Sequence, residues 1–276
     1  MVDIGDSLTQ GAGGNKNSMT KVTSKLLGDK WDIDNMGVGG ENTLTIGARY
    51  GAIPMYIEEP ILIPKTTSKI EINCLKSMFD DSIVKPLILG KAGVNPCYID
   101  GIKCKLTSNG NKYYINRVHK GFTDHKTKPK TIIETNLSRK KYDFATIFIG
   151  QNKGYNTSED LLYQIDLFVK HKGDKNIIII TSHGNGDSLT VAPIAKKYKN
   201  KHIDLKKYMS SKAIYDAIDF GLLPNNGKYP TKEDLDNMKQ NLAPKSLLHD
   251  NIHFNSIGYE LLGRLRYKKG IELGYW

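Results

Sequence analysis

The chain has 276 residues, which is enough to bury a substantial hydrophobic core as one large domain or two small ones. Hydrophobic residues make up 39% and charged residues 25% of the sequence, a composition typical of globular proteins. The net charge is +11, but the lysines are scattered and no helix-turn-helix, zinc-finger or RNA-recognition pattern is present. We therefore expect a solvated basic surface and no nucleic-acid partner.

The apolar runs argue against a membrane-spanning protein, and the cysteines argue against a disulfide-stabilised or metal-binding one. No apolar run approaches the roughly 18–20 residues that a membrane helix needs, so we expect no membrane span. The cysteines are Cys74, Cys97 and Cys104, an odd number that argues against a disulfide framework, and their spacing matches no metal site. A bridge between Cys97 and Cys104 is conceivable, but the pattern favours buried free thiols.

The first fifty residues are predicted to alternate between strands and helices. Residues 2–4 form the end of a strand, and residues 17–28 form an amphipathic helix that ends at a glycine. Residues 31–37 form a short strand that leads into the glycine-rich turn GVGGENT.

The second half of the chain repeats this alternation. FATIFIG at 144–150 and NIIIIT at 176–181 are continuous apolar runs, as expected of central parallel strands covered on both faces. Helical spacing is found at 158–171 and 188–198, and the chain ends in a helix from Asn255 onward with a basic last stretch. The sequence therefore predicts an α/β fold with a parallel sheet sandwiched between helices.

Residues 51–140 interrupt the alternation. Prolines punctuate IPMYIEEPILIP, SKIEIN alternates with a period of two, and residues 102–118 form two alternating runs around an Asn-Gly pair, a strong hairpin signal. We predict a β-rich inserted subdomain at 51–140, between core segments at 1–50 and 141–276. The insert has a net charge of +7, more than half of the total.

The pentapeptide GDSLT occurs twice, at 5–9 and at 186–190. Ser7 follows the first predicted strand by one Gly-Asp step, which places it at the carboxyl end of a strand, where open α/β sheets bind ligands. Ser188 instead starts a predicted helix, where Asp187 or Ser188 would be the N-cap. We interpret the first copy as a candidate nucleophile and the second as structural.

A serine hydroxyl is a weak nucleophile that needs a base, a group that orients the base, and donors for the developing oxyanion. Asp250 and His253 stand three residues apart, so the carboxylate can hold the Nδ1–H of the imidazole and leave Nε2 free to accept the proton of Ser7. Taken alone, Asp250 would be interpreted as a cap or turn residue and His253 as a partly buried, satisfied histidine. Together with Ser7 they predict a catalytic triad.

Four blocks of the sequence resemble those of the SGNH, or GDSL, hydrolase superfamily. They are GDSLTQG at 5–11, NMGVGGENT at 35–43, IGQN at 149–152 and DNIH at 250–253. They occur in the order of the family, and the resemblance covers essentially the whole chain outside the insert. It implies a three-layer α/β/α core of the flavodoxin-like type and a serine esterase.

The resemblance also implies a role for each site residue. Ser7 would be the nucleophile, His253 the general base and then acid, and Asp250 the group that orients His253. The oxyanion would be bound by the backbone N–H groups of Ser7 and Gly40 and by the side-chain amide of Asn152.

Other polar residues lie near these blocks. Lys153 stands where the family commonly has an aspartate that supports the loop of the third block. We interpret Asp6 as a carboxylate that stabilises a turn, and the family spacing selects His253 over His249 as the base. Gln151 and His183 follow predicted strands at the same edge of the sheet and are candidate substrate-binding residues.

The chemistry that the resemblance implies is ester hydrolysis through an acyl-enzyme, without a metal or an organic cofactor. The expected substrate is an O-acetyl group on a carbohydrate or cell-surface glycan, because no segment indicates an apolar trough for a long acyl chain. Two alternatives stay open: a lipase or thioesterase, and a tail- or surface-associated glycan-binding module with a vestigial site. An α/β-hydrolase is disfavoured because no G-x-S-x-G segment is present.

Two features bear on location. The stretches GKAGVNPCYIDGIKCKLT, IGQNKGYN and PKSLLHDNIHFN are similar to a subgroup of GDSL proteins of Gram-positive bacteria and their phages. No signal segment starts the chain, and residues 1–4 alone precede the first Gly-Asp-Ser. We therefore expect an extracellular, cell-surface or virion-associated domain of a longer polypeptide rather than a cytoplasmic protein; the sequence leaves the oligomeric state open.

Overall fold

The computed structural model describes residues 1–86, 93–110, 112–173, 176–184 and 188–276. The strands of the described residues are, in chain order, β1 (Val2–Gly5), β2 (Asp34–Gly37), β3 (Met55–Ile57), β4 (Leu62–Ile63), β5 (Ile70–Ile72), β6 (Leu75–Ser77), β7 (Cys97–Ile99), β8 (Ile102–Asn109), β9 (Lys112–Arg117), β10 (His125–Lys126), β11 (Thr131–Glu134), β12 (Ala145–Ile149), β13 (Ile177–Thr181) and β14 (His202–Asp204). The α-helices of the same residues are α1 (Ser7–Gln10), α2 (Met19–Leu27), α3 (Thr43–Tyr50), α4 (Ser158–Lys172), α5 (Ser188–Tyr198), α6 (Leu205–Ser211), α7 (Ala213–Asp219), α8 (Lys232–Lys239) and α9 (Ser256–Glu272).

The chain divides into two compact units. The first comprises Met1–Asn42, Tyr142–Ile165 and Asp174–Trp276, and the second comprises Thr43–Lys141 and Asp166–Gly173. The second unit thus includes α3 and the end of α4, which the sequence analysis assigned to the core. The division into a hydrolase core and an insert stays a prediction.

The first unit contains a five-stranded parallel sheet in the order β14-β13-β12-β1-β2 among the described residues. This confirms the predicted mixed α/β fold with a parallel sheet. The apolar runs form its centre: every residue of β12 and β13 is buried. Gly5 is paired with both Phe148 and Gly37, and Ile149 is paired with Thr181, so neighbouring strands end at the same edge.

Helices of the first unit begin and end where local signals predict. The side chain of Ser18 accepts a hydrogen bond from the backbone N–H of Lys21 and so caps α2, which ends at Gly28 with φ +70°. A β carbon at Gly263 in α9 would lie 2.4 Å from Cβ of Val22 in α2, so the absence of a side chain there permits close packing of the two helices.

The second unit is built on an antiparallel sheet in the order β5-β9-β8-β7-β11-β3-β6 among the described residues. The predicted hairpin is confirmed, since β8 pairs with β9 from Cys104 opposite Arg117 to Asn109 opposite Lys112. Cys97 and Cys104 are buried free thiols on opposite strands, as the cysteine pattern favoured. Within the described residues, no helix has the length and hydropathy required to cross a membrane.

Candidate active site

The nucleophile candidate is held at the carboxyl end of strand β1, which lies between β12 and β2 in the sheet. Ser7 is the first residue of α1 and is 7% exposed. A β carbon at Gly5 would lie 2.1 Å from Oγ1 of Thr9 and 2.3 Å from the carbonyl oxygen of Phe148, so this sharp strand-to-helix step requires glycine. The N–H groups of a first helical turn have no partner within the helix, which leaves the N–H of Ser7 available to a ligand.

Asp6 is the N-cap of this short helix. Its Oδ1 accepts a hydrogen bond of 2.9 Å from the N–H of Leu8, which agrees with the predicted turn-stabilising role. Burial raises the pKa of Asp6 to about 6, although the Leu8 hydrogen bond and the electrostatic effect of the nearby His253 act in the opposite direction.

The carboxylate of Asp250 organises the turn that carries His253. Its Oδ1 accepts hydrogen bonds of 2.7 Å from the backbone N–H groups of both Ile252 and His253, and its Oδ2 lies 2.8 Å from Nδ1 of His253. Desolvation alone would raise the pKa of Asp250, but the hydrogen bonds from the His253 ring and from these two N–H groups outweigh it and hold the pKa below its ordinary value. The carboxylate is therefore ionised and acts only as an acceptor.

Ser7, His253 and Asp250 come together in the structure. Nε2 of His253 lies 2.9 Å from Oγ of Ser7, although the two residues are 246 positions apart in the chain. Because Nδ1 faces an ionised carboxylate, it carries the ring proton, and Nε2 is left to accept the hydroxyl proton of Ser7. This is the order of groups that activates a serine.

His249 does not occupy the place of the base. Its side chain is exposed, and its backbone N–H donates a hydrogen bond of 2.8 Å to the carbonyl of His253. His249 therefore helps to close the turn through its backbone.

The loop after β2 lies beside Ser7. The N–H of Gly39 donates a hydrogen bond of 2.9 Å to Oε1 of Gln10, and a β carbon at Gly39 would lie 3.7 Å from Cβ of Ser7. Gly40 follows in an exposed, left-handed conformation with φ +81°, which favours glycine. The structure therefore brings the predicted oxyanion loop to the nucleophile.

Asn152 lies next to the same loop. Its Nδ2 donates a hydrogen bond of 3.0 Å to the carbonyl of Glu41, the residue after Gly40. An amide group has two N–H donors, so one remains for a ligand. This hydrogen bond holds Asn152 in place, and the next residue, Lys153, has a left-handed backbone conformation with φ +60°.

Gln151 and His183 share the wall of a cavity of about 220 Å³. The side chain of Gln151 accepts a hydrogen bond from the hydroxyl of Ser182, and Nε2 of His183 lies 2.7 Å from the carbonyl oxygen of Ile252. The other lining side chains are mixed in character: Glu233, Asn237, Lys245 and Asn251 are polar, and Leu242, Ala243, Leu248 and Ile252 are apolar. The cavity is thus next to the turn of His253 and to the loop of Asn152, and substrate binding by Gln151 and His183 stays a prediction.

Sequence reasoning missed Gln10, which ties the nucleophile helix to the glycine loop. The one available signal was its place three residues after Ser7, where the next helical turn brings a side chain to the same face. The hydrogen bond itself depends on the path of the chain after β2, and no local pattern gives that path.

The second GDSLT copy lies partly outside the described residues. Asp187, proposed as an N-cap, is among the residues that the structure does not describe, while the predicted helix at 188–198 is confirmed as α5. That Asp187 caps this helix therefore stays a prediction.

Among the described residues, no group of three or more His, Cys, Asp or Glu side chains is arranged to hold a metal ion. No protein-family model, no curated protein and no solved structure matches this chain. The functional interpretation therefore rests on the geometry around Ser7 and on the resemblance in the four blocks.

The buried carboxyl of Asp6 gives a test by pH. We expect Asp6→Asn to gain stability relative to the wild type as the pH rises from 4 to 7, by about 2 kcal/mol across that range. The pKa of about 6 in the folded state lies above the ordinary value of 3.8, so the folded wild type binds this proton more tightly and loses stability as the proton leaves. Asparagine keeps the cap oxygen without ionising. Urea unfolding of both proteins at several pH values measures the difference, and a difference that stays constant with pH would contradict the assignment.

Proposed function

We propose that this chain is a serine esterase of the SGNH type that hydrolyses its substrate through an acyl-enzyme on Ser7. The observation that carries the proposal is the line of hydrogen bonds from Ser7 Oγ to His253 Nε2 at 2.9 Å and from His253 Nδ1 to Asp250 Oδ2 at 2.8 Å. The five-stranded parallel sheet supports the finer proposal of a three-layer, flavodoxin-like α/β/α core, in which such a site lies at the carboxyl ends of the strands.

In the acylation step, Oγ of Ser7 attacks the ester carbonyl carbon while its proton passes to Nε2 of His253. The carbonyl π electrons move to oxygen, and the new C–O bond gives a tetrahedral oxyanion. When that intermediate collapses, the bond to the leaving alcohol breaks and His253 returns the proton to the alkoxide. Water then attacks the acyl carbon while its proton passes to His253. The bond to Oγ of Ser7 breaks, His253 returns the proton to Oγ, and the carboxylic acid leaves.

Three donors would receive the oxyanion: the N–H of Ser7, the N–H of Gly40 and the second amide hydrogen of Asn152. The contacts that support this are the proximity of the glycine loop to Ser7 and the hydrogen bond that fixes Asn152 to the loop. Each such donor is worth a factor of about 10²–10³ in rate.

We propose that the ester is an O-acetyl group on a carbohydrate or cell-surface glycan. The cavity next to the turn of His253 supports a polar alcohol portion, because its lining offers the amides of Asn237 and Asn251 and the carboxylate of Glu233 beside its apolar side chains. Such groups hydrogen-bond hydroxyls well and solvate an alkyl chain poorly.

Covalent labelling tests the proposed chemistry. A fluorophosphonate probe should label the wild-type protein and Ser188→Ala, which carries the same change in the second GDSLT copy, but not Ser7→Ala. Absence of labelling in the wild type would favour a glycan-binding module with a vestigial site. Labelling that survives in Ser7→Ala would place the nucleophile elsewhere.

The length of the acyl group separates the acetyl esterase from the lipase or thioesterase. We expect kcat/KM for p-nitrophenyl esters to be highest for acetate and to fall as the chain lengthens, because the cavity lining includes Glu233, Lys245 and the amides of Asn237 and Asn251, whose burial against an alkyl chain is unfavourable. Release of acetate from a panel of bacterial cell-surface polysaccharides would then identify the glycan. A preference for acyl chains of about eight carbons or more would contradict the deacetylase assignment.

A further inference from the structure

His183 is a buried histidine in contact with the turn that carries the base. It lies two residues beyond the end of β13 and is 3% exposed. Its ring packs on Phe254 with 4.4 Å between ring centroids, and its Nε2 lies 2.7 Å from the carbonyl oxygen of Ile252. A carbonyl only accepts hydrogen bonds, so Nε2 carries the proton.

The ring of His183 is neutral over the range in which an imidazole base works. Burial lowers the pKa of His183 to about 4, against the hydrogen bond to Ile252, which acts to raise it. A neutral ring with its proton on Nε2 is a donor of fixed direction and adds no positive charge beside His253.

The peptide group between Ile252 and His253 is held at both ends. Its carbonyl accepts the hydrogen bond from His183, and its N–H donates one of 2.7 Å to Oδ1 of Asp250. Because a peptide group is planar, these two hydrogen bonds together fix the orientation of the backbone from which the side chain of His253 projects.

The hydrogen bond from His183 also connects this turn to the parallel sheet. Other backbone hydrogen bonds of the turn stay local, such as those from His249 to His253 and from Asn255 to Leu247. His183 instead follows β13, and Ser7 follows β1 of the same sheet. The sheet can therefore act as a common support for the base and the nucleophile.

We infer that His183 is a positioning residue: its Nε2–H holds the Ile252 carbonyl and thereby aims the ring of His253 at Ser7. The inference rests on the proposed function, since it concerns the geometry of that triad. It differs from the prediction that His183 touches substrate, because a positioning residue acts on kcat through His253 and a substrate contact acts on KM.

Two amide substitutions test the hydrogen bond. In His183→Gln the side-chain amide N–H can reach the position of Nε2, whereas in His183→Asn the shorter side chain cannot. We expect kcat on p-nitrophenyl acetate to fall about 10–100-fold in His183→Asn with KM nearly unchanged, and to be largely restored in His183→Gln. Equal kcat in His183→Asn and the wild type would overturn the inference, as would a rise in KM at constant kcat.

A spectroscopic readout separates positioning from general loss of stability. The proton that His253 Nδ1 shares with Asp250 should give a far-downfield resonance in the wild type and in His183→Gln, and a broadened or absent one in His183→Asn. An unchanged resonance in His183→Asn would overturn the inference even if that variant were less stable. If the wild type kept the resonance but reacted with neither the ester nor the fluorophosphonate, the proposed function would be overturned instead. The resonance in the two variants would still test the effect of His183 on the ring of His253.

Discussion

Replacing Asp250 with Asn should lower kcat for ester hydrolysis by about 10⁴-fold while leaving the fold intact. The amide oxygen of asparagine can still accept the hydrogen bonds from the N–H groups of Ile252 and His253, so the turn is retained. The amide N–H₂ group, however, faces Nδ1 and favours the ring tautomer with the proton on Nε2, which cannot accept the proton of Ser7.

Steady-state hydrolysis of p-nitrophenyl acetate measures this loss. Asp236→Asn makes the same chemical change at an exposed carboxylate of α8, where the existing ion pair is with Lys239, and it should leave kcat unchanged. A loss below about tenfold in Asp250→Asn would show that His253 is oriented without the carboxylate, and the triad assignment would fail.

Replacing Arg266 with Met should lower the free energy of unfolding by about 3–5 kcal/mol. The guanidinium lies 2.8 Å from the carboxylate of Asp3 in β1, and the two side chains are 1% and 0% exposed. Methionine fills similar space but leaves the carboxylate of Asp3 buried without its cation, a far larger penalty than loss of an exposed pair.

The same helix provides a matched control. Arg264 also pairs with a carboxylate, that of Glu260, at 2.8 Å, but these side chains are 38% and 25% exposed. Arg264→Met should therefore cost about 1 kcal/mol or less. Urea unfolding compares the two variants, and the double variant Asp3→Asn with Arg266→Met should recover much of the loss because no charge is left buried. Equal effects of the two arginine substitutions would contradict the importance of burial.

The parts of the fold that the sequence predicts are those set by local pattern. The apolar runs at 144–150 and 176–181 are strands because a strand buried on both faces requires an apolar side chain at nearly every position. Likewise the spacing of Asp250 and His253 confines carboxylate and ring to one turn, so their contact was predictable. The contact with Ser7 was predictable only because the blocks resemble those of a known family.

The elements that the sequence analysis missed lack such patterns. Helix α3 contains β-branched residues and glycine, which have low helix propensity, and it is a helix because its side chains are buried. Helix α8 is strongly polar and has little apolar periodicity, so its one local signal is the capping box between Thr231 and Asp234. The hydrogen bond from His183 to Ile252 joins residues 69 positions apart, and no local pattern predicts it.

The span of 246 positions between nucleophile and base has a consequence for biosynthesis. Ser7 is translated long before His253, so the imidazole that would deprotonate Ser7 does not yet exist when Ser7 leaves the ribosome. Closing so long a loop also costs conformational entropy that only the completed sheet and its helices can offset. Hydrolytic competence should therefore arise late and in a single step, so a covalent serine probe would report finished folding rather than partial synthesis.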